Sequence, residues 1–210
     1  MSIGYVIGNG ESRKDFDIRK LNNQGATYGC NALMRDYNVQ NLVCSNRLHL
    51  NEAIDFGLDK KSYVHTNIKL SAILKNPNIQ LLPDVPYEST HKNDLAENWK
   101  SGSYAVLLGA MKNDIVMLLG FDFNGLGERS QTNPFGKINN IYKDTANYPG
   151  SNEKQRDMGP DVQQVGHLIK HFSKVKFIFI NDWVPETLLT HQNSFQDTYE
   201  NLEKQLLTSL

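Results

Sequence analysis

Cysteine is scarce in this chain, and so are the features that mark secreted, membrane-spanning or polyanion-binding proteins. The 210 residues contain two cysteines, Cys30 and Cys44, both on apolar runs and without the spacing of a metal site. That excludes a disulfide framework and predicts reduced, buried thiols. No apolar stretch approaches the roughly 20 residues that cross a bilayer, so no membrane partner is expected. An excess of one charge is also missing. Against 22 Lys and Arg stand 23 Asp and Glu, a formal net charge of -1, with no basic run long enough to track a phosphate backbone. Nucleic acid is therefore not expected as a partner. The first strand pattern opens at Ile3 and leaves no room for a signal segment, so the expected location is the cytoplasm. No linker, repeat or low-complexity tract divides the chain, which predicts one domain over residues 1–210.

Short β-branched runs alternate with longer amphipathic ones. "IGYVIG" (Ile3 to Gly8), "ATYGCN", "NLVCSN" (Asn41 to Asn46), "SYVHT", "IQLLPDV", Ile115 to Leu119 and "KVKFIFI" read as strands. "RKDFDIRKL", "ALMRDY", "HLNEAIDFG", a segment from about Ser101, and "DVQQVGHLIKHF" read as helices, and "ETLLTHQNSFQDTYENLEKQLLTSL" as one or two closing helices. The alternation predicts an α/β fold, a doubly wound, mainly parallel, Rossmann-like sheet with helices on both faces. Residues 124–151, polar and aromatic, are too long for an ordinary connection and predict a lid-like loop. In such a sheet ligands bind beyond the carboxyl ends of the strands, near a switch in strand order. Asn9, Gly10, Asn31, Ser45, Asn46 and Asp122 stand at those ends.

The first strand runs into "GNGESR". Two glycines around an asparagine fit a steric turn and a phosphate cradle equally well. A dinucleotide fingerprint needs a third glycine and an acidic residue closing the second strand; Arg13 and Asn31 hold those places, which disfavours a nicotinamide or flavin site. Asparagine amides instead suit a mononucleotide, since they donate to phosphate and bond ribose or base edges. "KSGS" (Lys100 to Ser103) offers either a second cradle or an ordinary cap. Asp15 and Asp17 form a D-x-D but sit where a helix start favours acids, so they read as structural. His167 and His171 share a helix face at i,i+4 but lack a third ligand, and no metal site is expected. In the lid, Tyr142, Lys143 and Tyr148 carry groups that bind phosphate or sugar, but the spacing alone fits slightly better a loop that packs its own aromatics.

Taken together, "GNGES" (Gly8 to Ser12), "CN" (Cys30, Asn31), Asn46, "SG" (Ser101, Gly102) and "G-x-D-F" (Gly120 to Phe123) resemble, in order, the motifs of the bacterial lipooligosaccharide sialyltransferases, a GT-A-like variant of the doubly wound fold. The chain also resembles, over most of its length, an uncharacterised group of phage proteins sharing "IGNGESR", "TYGCNAL", "LLGFD" and the "YKDT-N-Y" loop; the cytoplasm would then be the host's. The first resemblance implies a metal-independent glycosyltransferase with no cofactor, a CMP-sugar donor as substrate and a glycan acceptor. It further implies that Asn9, Gly10 and Ser12 hold phosphate and ribose beside Asn31 and Asn46. Ser101 and Gly102 would meet the nucleotide from the opposite side, Asp122 would order the site or bind a ribose hydroxyl, and Lys143 would close over the phosphate.

The sequence departs from that family where catalysis is concerned. The family's two tyrosines after "DF", which ease departure of the phosphate, would fall at Asn124 and near Ser130; Tyr142 and Tyr148 are the substitutes at hand. The family's general-base histidine precedes the next helix, where this chain offers only Asp157 or Asp161. A rival expectation keeps the fold and drops the chemistry, as a phage accessory or interaction protein. A homo-oligomer is compatible with either.

Overall fold

The computed structural model describes residues 1–58, 62–67, 75–89, 91–123, 137–153 and 156–208. Its centre is one sheet of eight strands: β1 (Ile3–Ile7), β2 (Ala26–Cys30), β3 (Asn41–Val43), β4 (Tyr63–Thr66), β5 (Ile79–Leu81), β6 (Ile115–Leu119), β7 (Lys176–Ile180) and β8 (Ser194–Asp197). The spatial order is β5-β4-β3-β2-β1-β6-β7-β8, and every pairing is parallel. The α-helices among the described residues are α1 (Arg47–Asp55), α2 (Ser101–Lys112), α3 (Gly159–His171), α4 (Glu186–Leu189) and α5 (Tyr199–Thr208).

Strands buried on both faces need apolar residues where they are covered, and β1, β6 and β7 have them, the exposed Lys176 that opens β7 excepted. Val6, Leu118, Phe177 and Phe179 face α2 and α3 on one side. Tyr5, Ile7, Leu119 and Ile180 face the other, against Leu50 of α1 and Leu202 and Leu206 of α5. The doubly wound α/β prediction is thus met, with an entirely parallel sheet among the described residues. Helix α2 is buried almost all round and lies close on β1, because a Cβ at Gly109 would stand 2.8 Å from Val6.

Three local expectations are corrected. "RKDFDIRKL" forms no α-helix but two single 3₁₀ turns, Glu11–Arg13 and Ile18–Leu21, the second capped by the Asp17 carboxylate accepting from Arg19 N. "ALMRDY" likewise belongs to a 3₁₀ turn, Asn31–Arg35, because Asn31 starts it with a positive φ of 52°. The closing segment holds a strand, β8, between its helices. Asn193 docks it by donating to the Ile169, Phe172 and Val175 carbonyls at 3.0, 3.2 and 2.9 Å. Only Ser194 of its four residues is buried, so no apolar pattern announced it.

Candidate functional site

The chain leaves β1 toward β2 on one side, while β6, on the other side of β1, leads to β7. The switch point of the doubly wound sheet therefore lies between the carboxyl ends of β1 and β6. There Gly8 N donates to Leu119 O at 2.7 Å and Gly10 N to Gly120 O at 2.9 Å, holding the two strand ends together past the sheet. A Cβ at Gly8 would stand 2.5 Å from the Gly120 carbonyl, and Gly120 itself has φ +69°. The opening glycines are thus required sterically, and the turn they form is also one wall of a cavity of about 690 Å³.

Asn9 is buried in that wall. Its Nδ2 donates to Cys30 O (3.2 Å) and to the Tyr148 hydroxyl (3.0 Å), which leaves Oδ1 buried without a partner among the described residues. Asn31 also carries an unpartnered buried Oδ1. Two amide oxygens without donors in one cavity are a standing demand for a hydrogen-bonding ligand. Behind the turn, Arg13 fills the place of the missing third glycine. It is 4% exposed, donates from Nε to Gly8 O at 2.6 Å and from Nη2 to the Tyr142 hydroxyl at 3.0 Å. Tyr142 in turn donates to Asp36 at 2.6 Å.

Asp122 holds the site together. Its carboxylate accepts from Ser12 N at 2.9 Å, from the Ser12 hydroxyl, and from Asn181 Nδ2 at 3.2 Å, so it joins the ends of β6 and β7 to the opening turn. The described part of the predicted lid is sewn to the same turn. Ile141 N donates to Asn9 O at 2.9 Å, Glu11 N to Asn139 Oδ1 at 2.8 Å, and Lys143 Nζ to Glu11 at 2.5 Å. Tyr148 reaches into the cavity, where burial raises its pKa; Tyr142 and Lys143 do not line it and brace the loop instead. Arg35 clamps this loop from outside, bonding Glu52, Thr145 Oγ1 and Ala146 O at 2.5, 2.6 and 2.8 Å.

The opposite wall is the start of α2. Lys100 holds the N-cap position without a side-chain cap, Ser101 Oγ shares a hydrogen bond of 2.7 Å with Ser45 Oγ, and Gly102 lines the cavity. Asn46 caps α1 through Leu48 N (2.7 Å) and lines the cavity as well. Asp161 lines it too, but Arg156 occupies both of its oxygens at 2.6 and 2.7 Å. Asp157 is exposed and accepts from Gly159 N at 2.9 Å at the start of α3. The positions of Asn124 and Ser130 lie outside the described residues.

Two cavity residues carry no sequence signal that singles them out. His49 is 6% exposed, its ring centroid is 5.1 Å from that of Tyr148, and its Nδ1 is 3.7 Å from Glu52. Burial lowers its pKa and favours the neutral ring. Its only hint is the buried face of α1, shared with Leu50 and Ala53. Arg156 is the other, legible only through its spacing to Asp161. Outside the cavity, Asp17 pairs with Arg19, and His167 lies 3.1 Å from Asp94 while its ring and that of His171 pack on Tyr87. Among the described residues no group of three His, Cys, Asp or Glu could hold a metal ion, and no helix is long and apolar enough to cross a membrane. Both cysteines are free and buried, which pushes the Cys30 thiol up to about 12.

No protein-family model matches the chain, and none of the curated proteins does. Solved structures do match. The chain is similar to the monofunctional alpha-2,3-sialyltransferase Cst-I from Campylobacter jejuni, with a TM-score of 0.60 at 14% identity over 91% of this chain and 79% of that one. It is also similar to the sialyltransferase CST-II. A variant in complex with CMP gives a TM-score of 0.53 at 16% identity over 85% of this chain and 81% of the other. The complex with a trisaccharide acceptor and CMP gives 0.50 at 18% identity over 85% and 80%. The α/β fold is therefore that of these sialyltransferases.

Proposed function

We propose that the chain is a glycosyltransferase of the sialyltransferase type that binds a CMP-sugar, or another nucleotide-sugar, in the switch-point cavity and transfers the sugar to a glycan hydroxyl. The observation that carries the proposal is convergence. Asn9, Asn31, Asn46, Ser101, Gly102 and Asp122, which the motifs named separately, lie around one cavity between β1, β6 and the start of α2. The likeness to structures solved with CMP and an acceptor trisaccharide supports it.

In this reading Asn9 and Asn31 offer their free amide oxygens to ribose or sugar hydroxyls, and the Gly10 turn lies against the nucleotide. Ser12 and Asp122 fix the shape of that turn. Tyr148 closes the cavity, held by Asn9 and by Arg35 behind it, while Tyr142 and Lys143 keep the loop in place. For the acceptor proton, the geometry favours His49 over Asp157 and Asp161. One of these carboxylates is exposed and accepts from Gly159 N, the other is paired through both oxygens with Arg156. A neutral imidazole on the cavity wall, with Glu52 behind it to stabilise the cation that forms, meets the requirement of a base at neutral pH.

The rival, an interaction protein that binds a glycan in the same cavity and transfers nothing, is favoured by the engagement of Asp157 and Asp161 in purely structural bonds. Calorimetric titration with CMP, UMP, GMP and their sugar conjugates tests the proposal. Saturable binding of one of them supports it, and no heat with any at millimolar concentration sinks it.

A further inference from the structure

Arg156 stands on the cavity wall, and the pair with Asp161 leaves part of its guanidinium unused. Its Nη1 and Nη2 donate to the two oxygens of Asp161 at 2.6 and 2.7 Å, and Nη1 also reaches the Asp157 carbonyl at 3.4 Å. Of the five guanidinium N–H groups, the Nε–H and one on Nη2 have no partner among the described residues. Asp161 is 6% exposed whereas the Arg156 side chain is half exposed. A buried carboxylate is stable only when paired, and a bidentate fork fixes the plane of the guanidinium as well as its position. The arrangement therefore presents an oriented cation to the cavity.

The rest of this wall has the same polarity. α2 and α3 pack on one face of the sheet, and residues from the first turn of each line the cavity. α2 begins without a side-chain cap, and the end of a helix that exposes N–H groups carries partial positive charge. Ser103, in its first turn, is 2% exposed, lines the cavity and carries an Oγ without a partner among the described residues. Lys100 adds a second cation beside it, and Glu97 is a second carboxylate on this wall. The facing wall carries the neutral groups Asn9, Asn31, Tyr148 and His49 and the Asp122 carboxylate, which Ser12 and Asn181 engage.

We propose that Arg156, oriented by Asp161, binds the phosphate of the nucleotide, with the first turn of α2 and the Ser103 hydroxyl completing the anion subsite. The proposal rests on the nucleotide reading above and deepens it. It makes Asp161 a positioning residue and gives the phosphate a cationic partner in place of tyrosines after "DF". It also fixes which way the ligand lies: phosphate toward α2 and α3, with the hydroxyl-bearing part toward Asn9 and Asn31.

The test compares the best-binding nucleotide among CMP, UMP and GMP with its own nucleoside, by calorimetry at fixed salt. For the wild type the nucleotide binds roughly 10- to 100-fold tighter than the nucleoside, the range expected of charge-assisted hydrogen bonds to phosphate. Arg156→Gln brings that ratio to within about threefold, and Arg156→Lys, a point charge without the fork, falls between. Asp161→Asn lowers the ratio partway, because it frees the guanidinium from its fixed orientation while keeping the cation. The double variant Arg156→Gln with Asp161→Asn leaves no unpaired buried charge, so it keeps the fold and reproduces the single Arg156→Gln ratio. A wild-type ratio retained in Arg156→Gln or in the double variant overturns the proposal. A wild type that binds nucleoside as tightly as nucleotide overturns the subsite and leaves the cavity reading standing; one that binds neither overturns both.

Discussion

Replacing Asp122 by alanine separates a residue that shapes the cavity from one that touches a ligand. The carboxylate is 7% exposed and accepts from Ser12 N, the Ser12 hydroxyl and Asn181. On removal the hydroxyl can turn toward Tyr199, whose oxygen is 3.4 Å away, but the backbone N–H and the Asn181 amide lose their acceptor. Two donors stranded from a charged acceptor cost about 1.5–3 kcal/mol each, partly offset by no longer burying the charge, so a net loss of about 3 kcal/mol is expected. For a chain of 210 residues that lowers Tm by roughly 6–12 °C. Asp122→Asn keeps one carbonyl oxygen and the shape, and about half the loss is expected. Thermal melting by circular dichroism, run beside nucleotide titration, reads both effects. A melting point for Asp122→Ala within 2 °C of wild type, together with lost nucleotide binding, would refute the bracing role.

Other perturbations follow the same logic. Gly10→Ala would drive a Cβ into the Asp122 carboxylate, so it should cost about 1–3 kcal/mol and abolish nucleotide binding, read by melting and calorimetry. Arg35→Ala should release residues 142–148, which hydrogen exchange would report as faster amide exchange confined to that loop and the 31–35 turn. If His49 takes the acceptor proton, kcat/KM should rise with pH to a plateau whose midpoint lies below the ordinary histidine value, since burial lowers its pKa, and His49→Gln should cost roughly 10²–10⁴ in rate and remove that limb. His65 supplies a stability test. Burial lowers its pKa from 6.5 to about 4, and its Nδ1 is buried without a partner, so the unfolded state takes up the proton first as pH falls. Its contribution, roughly 2–3 kcal/mol, is complete above pH 6.5 and lost toward pH 4, and urea unfolding of His65→Leu should lack that slope.

The sheet was legible wherever a strand is buried on both faces, because the covered residues of β1, β6 and β7 must then be apolar. It was illegible at β8, whose place is fixed by Asn193 bonding to three distant carbonyls rather than by any local pattern. The wall positions were legible for a topological reason: small and amide residues directly after apolar strands must gather at the carboxyl edge. The roles of individual side chains were not, since they depend on partners far along the chain. Asp161 pairs with Arg156 and Lys143 with Glu11, and no spacing in the sequence announces the second. His49 is not legible in the sequence because an isolated histidine in an amphipathic helix has the same pattern whether it faces the core or a cavity.

Whether the cavity turns over a nucleotide-sugar is tested most directly by incubating the protein with CMP-activated sialic acid, with and without a galactose-terminated acceptor, and following CMP release by ³¹P NMR. The account predicts release above the spontaneous rate, accelerated by the acceptor and lost in Asn31→Ala. Saturable binding of the donor with release no faster than in buffer would contradict transfer and leave a binding protein in its place.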